Sequence, residues 1–297
     1  MGIEIGLSNC VFGKRPPVED DFRQFHDFKI KYMEVSLLRG WLDPHAKSTI
    51  SDVCRWLEKY DLQALSVHGP SGMPVNGHWL ADPDDAVRRQ NIAERRLVLE
   101  GAKAFGAKYM IVEYECYDRW PFWPHNSPVE SSYPHAHELW LRSMEELVTD
   151  ADRAGVKIAV ENIDGLPHDT MARTVAEWPA DVVGICFDSS HATYGDTFFE
   201  QLDCFKNRII GTHLSDNDAL PGIEWQDRHW FPFQGVINWE RIAETLAAVK
   251  TCPILIVEPL TPDHKITPPL AESLEKLRSL IARKGKLLAG RTMCGSN

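Results

Sequence analysis

The sequence predicts a single α/β domain with the fold of a (β/α)8 TIM barrel. Eight short apolar segments alternate with longer amphipathic ones along 297 residues, and such a barrel needs about 250 residues. Several apolar segments are nearly continuous in Val, Ile, Leu and Met, which is typical of parallel strands covered on both faces. The competing fold is an open doubly wound sheet, but the G-x-G-x-x-G pattern that would favour it does not follow the first strand.

The predicted strands cover 3–8, 32–37, 62–68, 109–115, 157–162, 182–188, 209–215 and 254–259. The segments between them carry apolar residues at spacings of three and four, and the longest begin with acids or proline and end near a glycine, as helices do. These helical segments are 44–60, 82–108, 135–155, 239–249 and 268–285. The strands and helices together predict one barrel domain over 1–285, followed by a frayed C-terminal tail over 286–297.

Composition limits the classes of function. A formal charge of −11 makes nonspecific binding to nucleic acid or to anionic membranes less expected, since that binding depends on Lys and Arg. The longest apolar runs are too short to span a bilayer, and no secretory signal is visible at the N-terminus. Seven scattered cysteines without a C-x-x-C pair suit reduced thiols. We therefore expect a cytoplasmic protein.

Ionisable residues recur where the predicted strands end. A single such residue is equally well explained as a strand end that reaches solvent. Four consecutive strands that present Glu, Asp, His and Glu at the same end instead predict a shared site near the barrel axis, because an unpaired buried charge is costly. A divalent cation would hold clustered acids together. The residues are His68, Glu113, Glu161, Asp188, His213 and Glu258, with His191 three residues beyond Asp188.

Two long connections, 116–134 and 216–238, follow predicted strands and are rich in aromatic residues and proline. Loops after the strands of a barrel lie at its C-terminal face, where such enzymes build their active sites. We expect Trp120, Trp123, Trp230 and Phe231 to line or cover a pocket there. The same aromatics could instead stack on nucleic-acid bases, or pack against one another as surface loops.

The chain resembles the xylose isomerase-like TIM barrels, a superfamily of sugar and sugar-phosphate isomerases and epimerases, related dehydratases and endonuclease IV. The resemblance is carried by "VHGP", "AVENIDG", "CFDSSHA", "GTHLSDND", "DRHWFPFQGVINW" and "ILIVEP", in this order. It implies a divalent metal (Mn, Zn, Mg or Co) held by Glu161, Asp188, His213 and Glu258. It also implies that Glu161 and Glu258 act as the acid/base pair of an epimerase. A mixed carboxylate and imidazole set suits Zn²⁺ or Mn²⁺ better than Ca²⁺.

The remaining polar residues leave two interpretations open. In the endonuclease IV branch the residues matching His191, Asp227 and His229 bind a third zinc, and those matching His68, Glu113 and Glu161 bind the first. Glu113 stands where that branch has a histidine, which is a departure from its pattern. Ketose 3-epimerases place a substrate-binding arginine where this chain has Ala219, so Arg228 is the substitute candidate. Glu34 is expected either on the pocket floor or paired with a basic residue of the barrel.

The sequence therefore predicts a metal-dependent isomerase or epimerase of a small sugar, sugar phosphate or cyclic polyol that acts through an enediolate. Removal of a proton next to a carbonyl creates negative charge that a cation stabilises. One alternative is a zinc-dependent apurinic/apyrimidinic endonuclease, and another is a dehydratase of an inosose or dehydroshikimate. A third is an inactive barrel that only binds sugar or metal, which the presence of both Glu161 and Glu258 disfavours. Homo-oligomers are common in this superfamily, so self-association is also open.

Overall fold

Eight parallel strands form the centre of the molecule. The computed structural model describes residues 3–70, 79–114, 135–163, 168–193, 198–218 and 228–294. The strands lie in the order β7-β6-β5-β4-β3-β2-β1-β8, and a parallel bridge between Leu214 and Val257 joins the two edges. This arrangement confirms the predicted (β/α)8 TIM barrel. The strands are β1 (Glu4–Ser8), β2 (Tyr32–Ser36), β3 (Gln63–His68), β4 (Tyr109–Glu113), β5 (Lys157–Glu161), β6 (Val183–Asp188), β7 (Ile209–His213) and β8 (Ile254–Val257).

An α-helix follows each strand in chain order. Local signals set their ends: the side chain of Asp84 accepts hydrogen bonds from the first-turn N–H groups of Ala86 and Val87, as an N-cap residue does. Two helices end at Gly106 and Gly155 with φ near +70°, where glycine avoids the strain of a side chain. The helices are α1 (Glu19–Asp27), α2 (Lys47–Lys59), α3 (Asp85–Phe105), α4 (Ala136–Ala154), α5 (His168–Ala176), α6 (Phe198–Phe205), α7 (Trp239–Ala248) and α8 (Pro268–Cys294).

The last helix is longer than the sequence pattern indicates. Helix α8 continues through residues 286–294, most of the segment expected to be a frayed tail. The segment contains no proline and several of its residues, such as Lys, Leu and Ala, are strong helix formers. Helix propensity therefore extends the element beyond Gly285, which is a poor helix former but does not end it.

The interior of the barrel is a small, closely packed apolar cluster below the polar strand ends. Gly211 lies against the ring of Tyr109, and a Cβ atom at position 211 would be 2.8 Å from Tyr109 Cε2. Because strand side chains alternate with period two, residues two positions beyond this cluster point the same way, toward the axis. The cluster consists of Leu65, Tyr109, Ile111, Ala159, Cys186 and Ile256.

The described cysteines Cys10, Cys54, Cys186, Cys204 and Cys252 are free thiols, as their scattered positions predict. No helix in the described part of the chain has the length and apolar character needed to cross a membrane.

Candidate metal centre

The parallel registers bring the predicted site residues together at one end of the barrel. Glu113 of β4 lies opposite Glu161 of β5, and Asp188 of β6 lies opposite His213 of β7. Glu258 directly follows β8. The acids and the histidine that the sequence pattern placed at successive strand ends therefore share one layer of the structure.

Four of these residues form one buried cluster. One ligand atom each of Glu161, Asp188, His213 and Glu258 lies within 4.8 Å of the others. His213 is at the centre: its Nδ1 is 2.6 Å from Glu161 Oε1, 3.2 Å from Glu258 Oε2 and 3.9 Å from Asp188 Oδ2. All four side chains are buried. This is the ligand number and donor chemistry of a divalent transition-metal site.

The electrostatics of the cluster favour a bound cation. Burial raises the pKa of Asp188 and raises that of Glu258 to about 7, because desolvation disfavours a charged carboxylate. Burial is the largest single effect on Glu161 and acts to raise its pKa, but the charges and hydrogen bonds of His213 and His68 together outweigh burial and hold that pKa well below its usual range. Asp188 Oδ2 is buried and accepts no hydrogen bond from the described residues. A divalent cation would neutralise these acids and engage that oxygen, so the residues present fit a metal.

Three further histidines are oriented as metal ligands usually are. In each, Nδ1 donates a hydrogen bond to a backbone carbonyl, which makes Nε2 the ring nitrogen that would bind a metal. The carbonyl acceptors are Gly69 for His68 (2.7 Å), Asn162 for His191 (2.8 Å) and Glu258 for His229 (2.9 Å).

His213 is oriented the other way, by a carboxylate. Its Nε2 lies 3.0 Å from Glu34 Oε1, which leaves Nδ1 facing the four-residue cluster. The Ser66 hydroxyl donates to Glu34 Oε2 at 2.7 Å. Glu34 is completely buried, and the basic residue with which it pairs is His213. Glu34 does not line the cavity.

Two more groups of candidate ligands share residues with the first. Asp188, His191 and His229 offer ligand atoms within 4.8 Å of one another, and so do His68, Glu113 and Glu161. The structure therefore brings together both sets that the resemblance to the endonuclease branch singles out, apart from Asp227.

Arg228 and Trp230 do not reach the cavity. Arg228 is exposed, and its Nε lies 3.2 Å from Asp218 Oδ2. Trp230 is half-buried and pairs through its backbone with Asp216. Phe231 packs against the outer core. The remaining predicted residues, Trp120, Trp123 and Asp227, lie outside the described residues.

A cavity of about 220 Å³ opens above the ligand cluster. It is smaller than the pockets that hold drug-sized ligands, so it suits a small molecule. Glu161 and Glu258 line it, whereas Asp188 and His213 lie behind them. The described lining residues are Cys10, Ser36, Leu38, Trp41, His68, Glu113, Glu161, His191, His229, Glu258 and Leu260.

The sequence patterns did not identify one wall of this cavity. Cys10, Ser36, Leu38, Trp41 and Leu260 come from the ends of β1, β2 and β8, which carry no conspicuous acid or histidine there apart from Glu258. The signal that could have found Trp41 is the glycine before it, in "LLRGWL", because glycine directly after a strand marks a turn at the site face.

The segment carrying His229 is held by a buried acid. Asp216 Oδ2 accepts a hydrogen bond from Trp239 Nε1 at 2.8 Å, and Oδ1 accepts one from the Ile237 N–H at 3.2 Å. The backbones of Asp216 and Trp230 also exchange hydrogen bonds. These contacts fix both ends of the segment from 229 to 239, and they position His229 at the cluster.

Solved structures of similar fold include one that is described as an epimerase-like protein and one that is described as a sugar epimerase. A D-tagatose 3-epimerase-like protein has a TM-score of 0.74 and 17% identity, with 98% of this chain and 100% of that chain covered. The 3-keto-D-glucoside 4-epimerase YcjR from E. coli has a TM-score of 0.69 and 18% identity, with 93% and 99% covered. An IolI protein with a bound zinc atom has a TM-score of 0.70 and 17% identity, with 95% and 98% covered.

A relative from Sinorhizobium fredii, the uncharacterised protein y4fM, is 29% identical over 116 residues, or 37% of this chain. That match spans only 36% of the relative. The profile of the family described as xylose isomerase-like TIM barrel matches residues 22–280, which is most of the chain and all of the candidate ligands. The protein belongs to the xylose isomerase-like TIM barrel family.

Proposed function

We propose that this protein is a divalent-metal-dependent isomerase or epimerase of a small carbohydrate. One observation carries the proposal: of the four clustered ligands, Glu161 and Glu258 also line the cavity, whereas Asp188 and His213 are buried behind them. Two carboxylates are thus in reach of a bound substrate, and two side chains are placed only to hold the cation.

The reaction follows from these positions. One of the two glutamates removes a proton from the carbon next to the substrate carbonyl, which produces an enediolate. The other glutamate delivers a proton to the opposite face of the same carbon in an epimerisation, and the pair then exchanges a proton with solvent to restore the starting state. A cation held by Glu161, Asp188, His213 and Glu258 would supply Lewis-acid stabilisation of the negative charge on the substrate oxygens.

The similar folds support the choice of substrate class. One of them is described as D-tagatose 3-epimerase-like and another as a 3-keto-D-glucoside 4-epimerase, and a third carries zinc. Zinc and manganese both suit the donor set, as do cobalt and magnesium to a lesser degree. The free, mostly buried thiols support a cytoplasmic location, where cysteines stay reduced.

The test replaces Glu258 with Gln and measures turnover of a ketose panel by the metal-loaded protein in deuterated water. The wild type is expected to incorporate solvent deuterium at the carbon next to the carbonyl, because the proton passes through a carboxylate that exchanges with solvent. Glu258→Gln is expected to lose at least 1000-fold in kcat with an unchanged circular dichroism spectrum, within the range of general acid–base catalysis. Full turnover in the variant, or epimerisation without deuterium, would refute the mechanism.

A second candidate is a zinc-dependent apurinic/apyrimidinic endonuclease. The observation that favours it is the second ligand group of Asp188, His191 and His229. Metal content per chain separates the two functions: about one equivalent supports the isomerase or epimerase, and two or three equivalents of zinc together with cleavage of abasic DNA support the endonuclease.

A further inference from the structure

The backbone hydrogen bonds between β5 and β6 stop short of the candidate metal ligands on β6. The last paired residues of these two strands are Glu161 and Cys186, so Asp188 lies two residues beyond the backbone pairing on this side. A buried backbone N–H or carbonyl normally has a partner, because leaving it unpaired is unfavourable. Asp188 is completely buried, and its backbone therefore needs partners other than the backbone of β5.

The side chain of Asn162 supplies both partners. Its Oδ1 accepts a hydrogen bond from the Asp188 N–H at 2.8 Å, and its Nδ2 donates to the Asp188 carbonyl at 2.9 Å. Asparagine suits this position because its amide offers an acceptor and a donor side by side. Asn162 is itself buried, which shields the two bonds from water. The amide thus extends the pairing of β5 with β6 as far as Asp188.

This pairing fixes the place of Asp188 relative to Glu161, the residue directly before Asn162. The two carboxylate oxygens of Asp188 then have different surroundings. Oδ1 accepts a hydrogen bond from the His191 N–H at 2.8 Å. Oδ2 lies 3.9 Å from His213 Nδ1 and accepts no hydrogen bond from the described residues. The oxygen that remains for a cation is therefore Oδ2.

Asn162 also holds His191, a member of the second ligand group. The Nδ1 of His191 donates to the Asn162 carbonyl at 2.8 Å, and the His191 ring meets the His229 ring edge-on, with centroids 5.8 Å apart. Asn162 thus contacts Asp188 through its side chain and His191 through its backbone. Both contacts start from the residue next to Glu161, so the three candidate ligands share one support.

We propose that Asn162 is a positioning residue of the candidate metal centre: its side-chain amide holds Asp188 and the following turn at the distance from Glu161 that a bound cation requires. A binding site of this kind must be held to within about 0.5 Å of its working geometry. Removal of the amide leaves the Asp188 N–H and carbonyl without their partners, so the end of β6 is expected to shift.

Asn162 is not among the described residues that line the cavity, so it acts through Asp188 and His191 and not on a substrate. This inference rests on the proposed function for the presence of a metal. Metal binding is nevertheless measured without turnover, and the two proposals can therefore fail separately.

The experiment replaces Asn162 with Ala and measures metal binding in two ways. Calorimetry on the metal-free protein gives the affinities for Mn²⁺ and Zn²⁺, and the visible absorption spectrum of the Co²⁺-loaded protein reports the arrangement of ligands around the ion. We expect both affinities to fall about 10- to 100-fold, the usual effect of losing a residue that orients a ligand. We also expect the Co²⁺ bands to shift, because the ligand geometry changes.

A second variant, Asn162→Ser, covers the case in which Asn162→Ala does not fold. It leaves a smaller void, but its hydroxyl is too short to reach both backbone groups of Asp188. Asn162→Ser is therefore expected to lower the metal affinities and to shift the Co²⁺ bands in the same direction as Asn162→Ala.

Asn91→Ala is the matched control. Asn91 lies on α3, is 2% exposed and donates from Nδ2 to the Trp79 carbonyl at 2.9 Å, so it is also a buried asparagine that pairs with the backbone. It is neither a candidate ligand nor among the described residues of the cavity wall. Both Ala variants are expected to be less stable than the wild type, but only Asn162→Ala should change metal binding.

Wild-type metal affinities and an unchanged Co²⁺ spectrum in a folded Asn162 variant, or equal changes in Asn91→Ala, would overturn the positioning role and leave the proposed function standing. Metal binding that depends on Asn162, without turnover of any ketose by the wild type, would overturn the proposed function alone. A wild type that binds none of the three metals would overturn both.

Discussion

Individual ring nitrogens decide how this site can bind a metal. His68, His191 and His229 each donate from Nδ1 to a backbone carbonyl, whereas His213 is held through Nε2 by Glu34. His68, His191 and His229 therefore offer Nε2, whereas His213 offers Nδ1. Each choice is set by a backbone carbonyl or, for His213, by the carboxylate of Glu34. Such outer partners orient ligands and raise their basicity.

Glu34 provides the test at the residue scale. Replacement of Glu34 by Gln removes the charge that orients His213 and that favours its interaction with a cation. We expect the affinity for Mn²⁺ or Zn²⁺ to fall about 10- to 100-fold, the usual effect of losing an outer-shell partner, and calorimetry on the metal-free protein measures it. Glu4→Gln is the control, because Glu4 is exposed at the start of β1. Equal affinities in Glu34→Gln and wild type would contradict the orienting role.

The segment from 228 to 238, which leads into α7, depends on tertiary contacts for its conformation. It contains a histidine at a positive φ, His229 at +45°, a conformation that is costly for a residue other than glycine. The cost is offset by Asp216, whose carboxylate accepts from Trp239 and Ile237. A residue just beyond β7, Asp216, therefore stabilises the backbone conformation around His229.

Asp216→Ala tests this arrangement. Removal of the carboxylate leaves the buried Trp239 N–H without its acceptor, and we expect the free energy of unfolding to fall by about 2–3 kcal/mol. Thermal and urea denaturation of the metal-free protein measure the change. Asp27→Ala, which removes an exposed ion pair with Arg23 on α1, should cost no more than about 1 kcal/mol. Similar losses in the two variants would show that Asp216 is not a structural anchor.

At the scale of the whole molecule, the closed barrel serves as a rigid support for clustered charge. The apolar cluster around Tyr109 and Ile111 fills the interior, and the acids and histidines lie one side-chain layer above it. Packing in the apolar cluster sets the distance between opposite strands. A small change in side-chain volume in this cluster should therefore shift strands on both sides of the barrel.

Substitution of two glycines by alanine tests interior packing and helix propensity separately. Gly211→Ala would place a methyl group 2.8 Å from the ring of Tyr109, and we expect a loss of about 1–3 kcal/mol in unfolding free energy from overpacking. Gly285→Ala on α8 has its nearest neighbour, Ala247 Cβ, at 4.0 Å and should add up to about 1 kcal/mol because alanine favours the helix. Denaturant unfolding of both variants checks the prediction, and a neutral Gly211→Ala would mean that the interior can expand.

The sequence by itself determined the barrel and the strand ends at which most of the candidate ligands lie. Local sequence patterns are enough to predict a near-continuous apolar strand that ends in an acid or a histidine. Examples are "KIAVE" and "VGICFD". Because parallel strands end on one side of a barrel, residues such as Glu161 and Asp188 had to converge once the fold was known.

Only the tertiary structure decided which residues form the cavity wall made by Cys10, Ser36, Leu38, Trp41 and Leu260, and which partner orients each candidate histidine ligand. Trp41 enters the cavity through a turn at Gly40, and Cys10 and Leu260 arrive from opposite ends of the chain. Asp216 and Glu34 act through partners that are distant in sequence, Trp239 and His213. These features depend on contacts between elements, and no local period or spacing along the chain encodes such contacts.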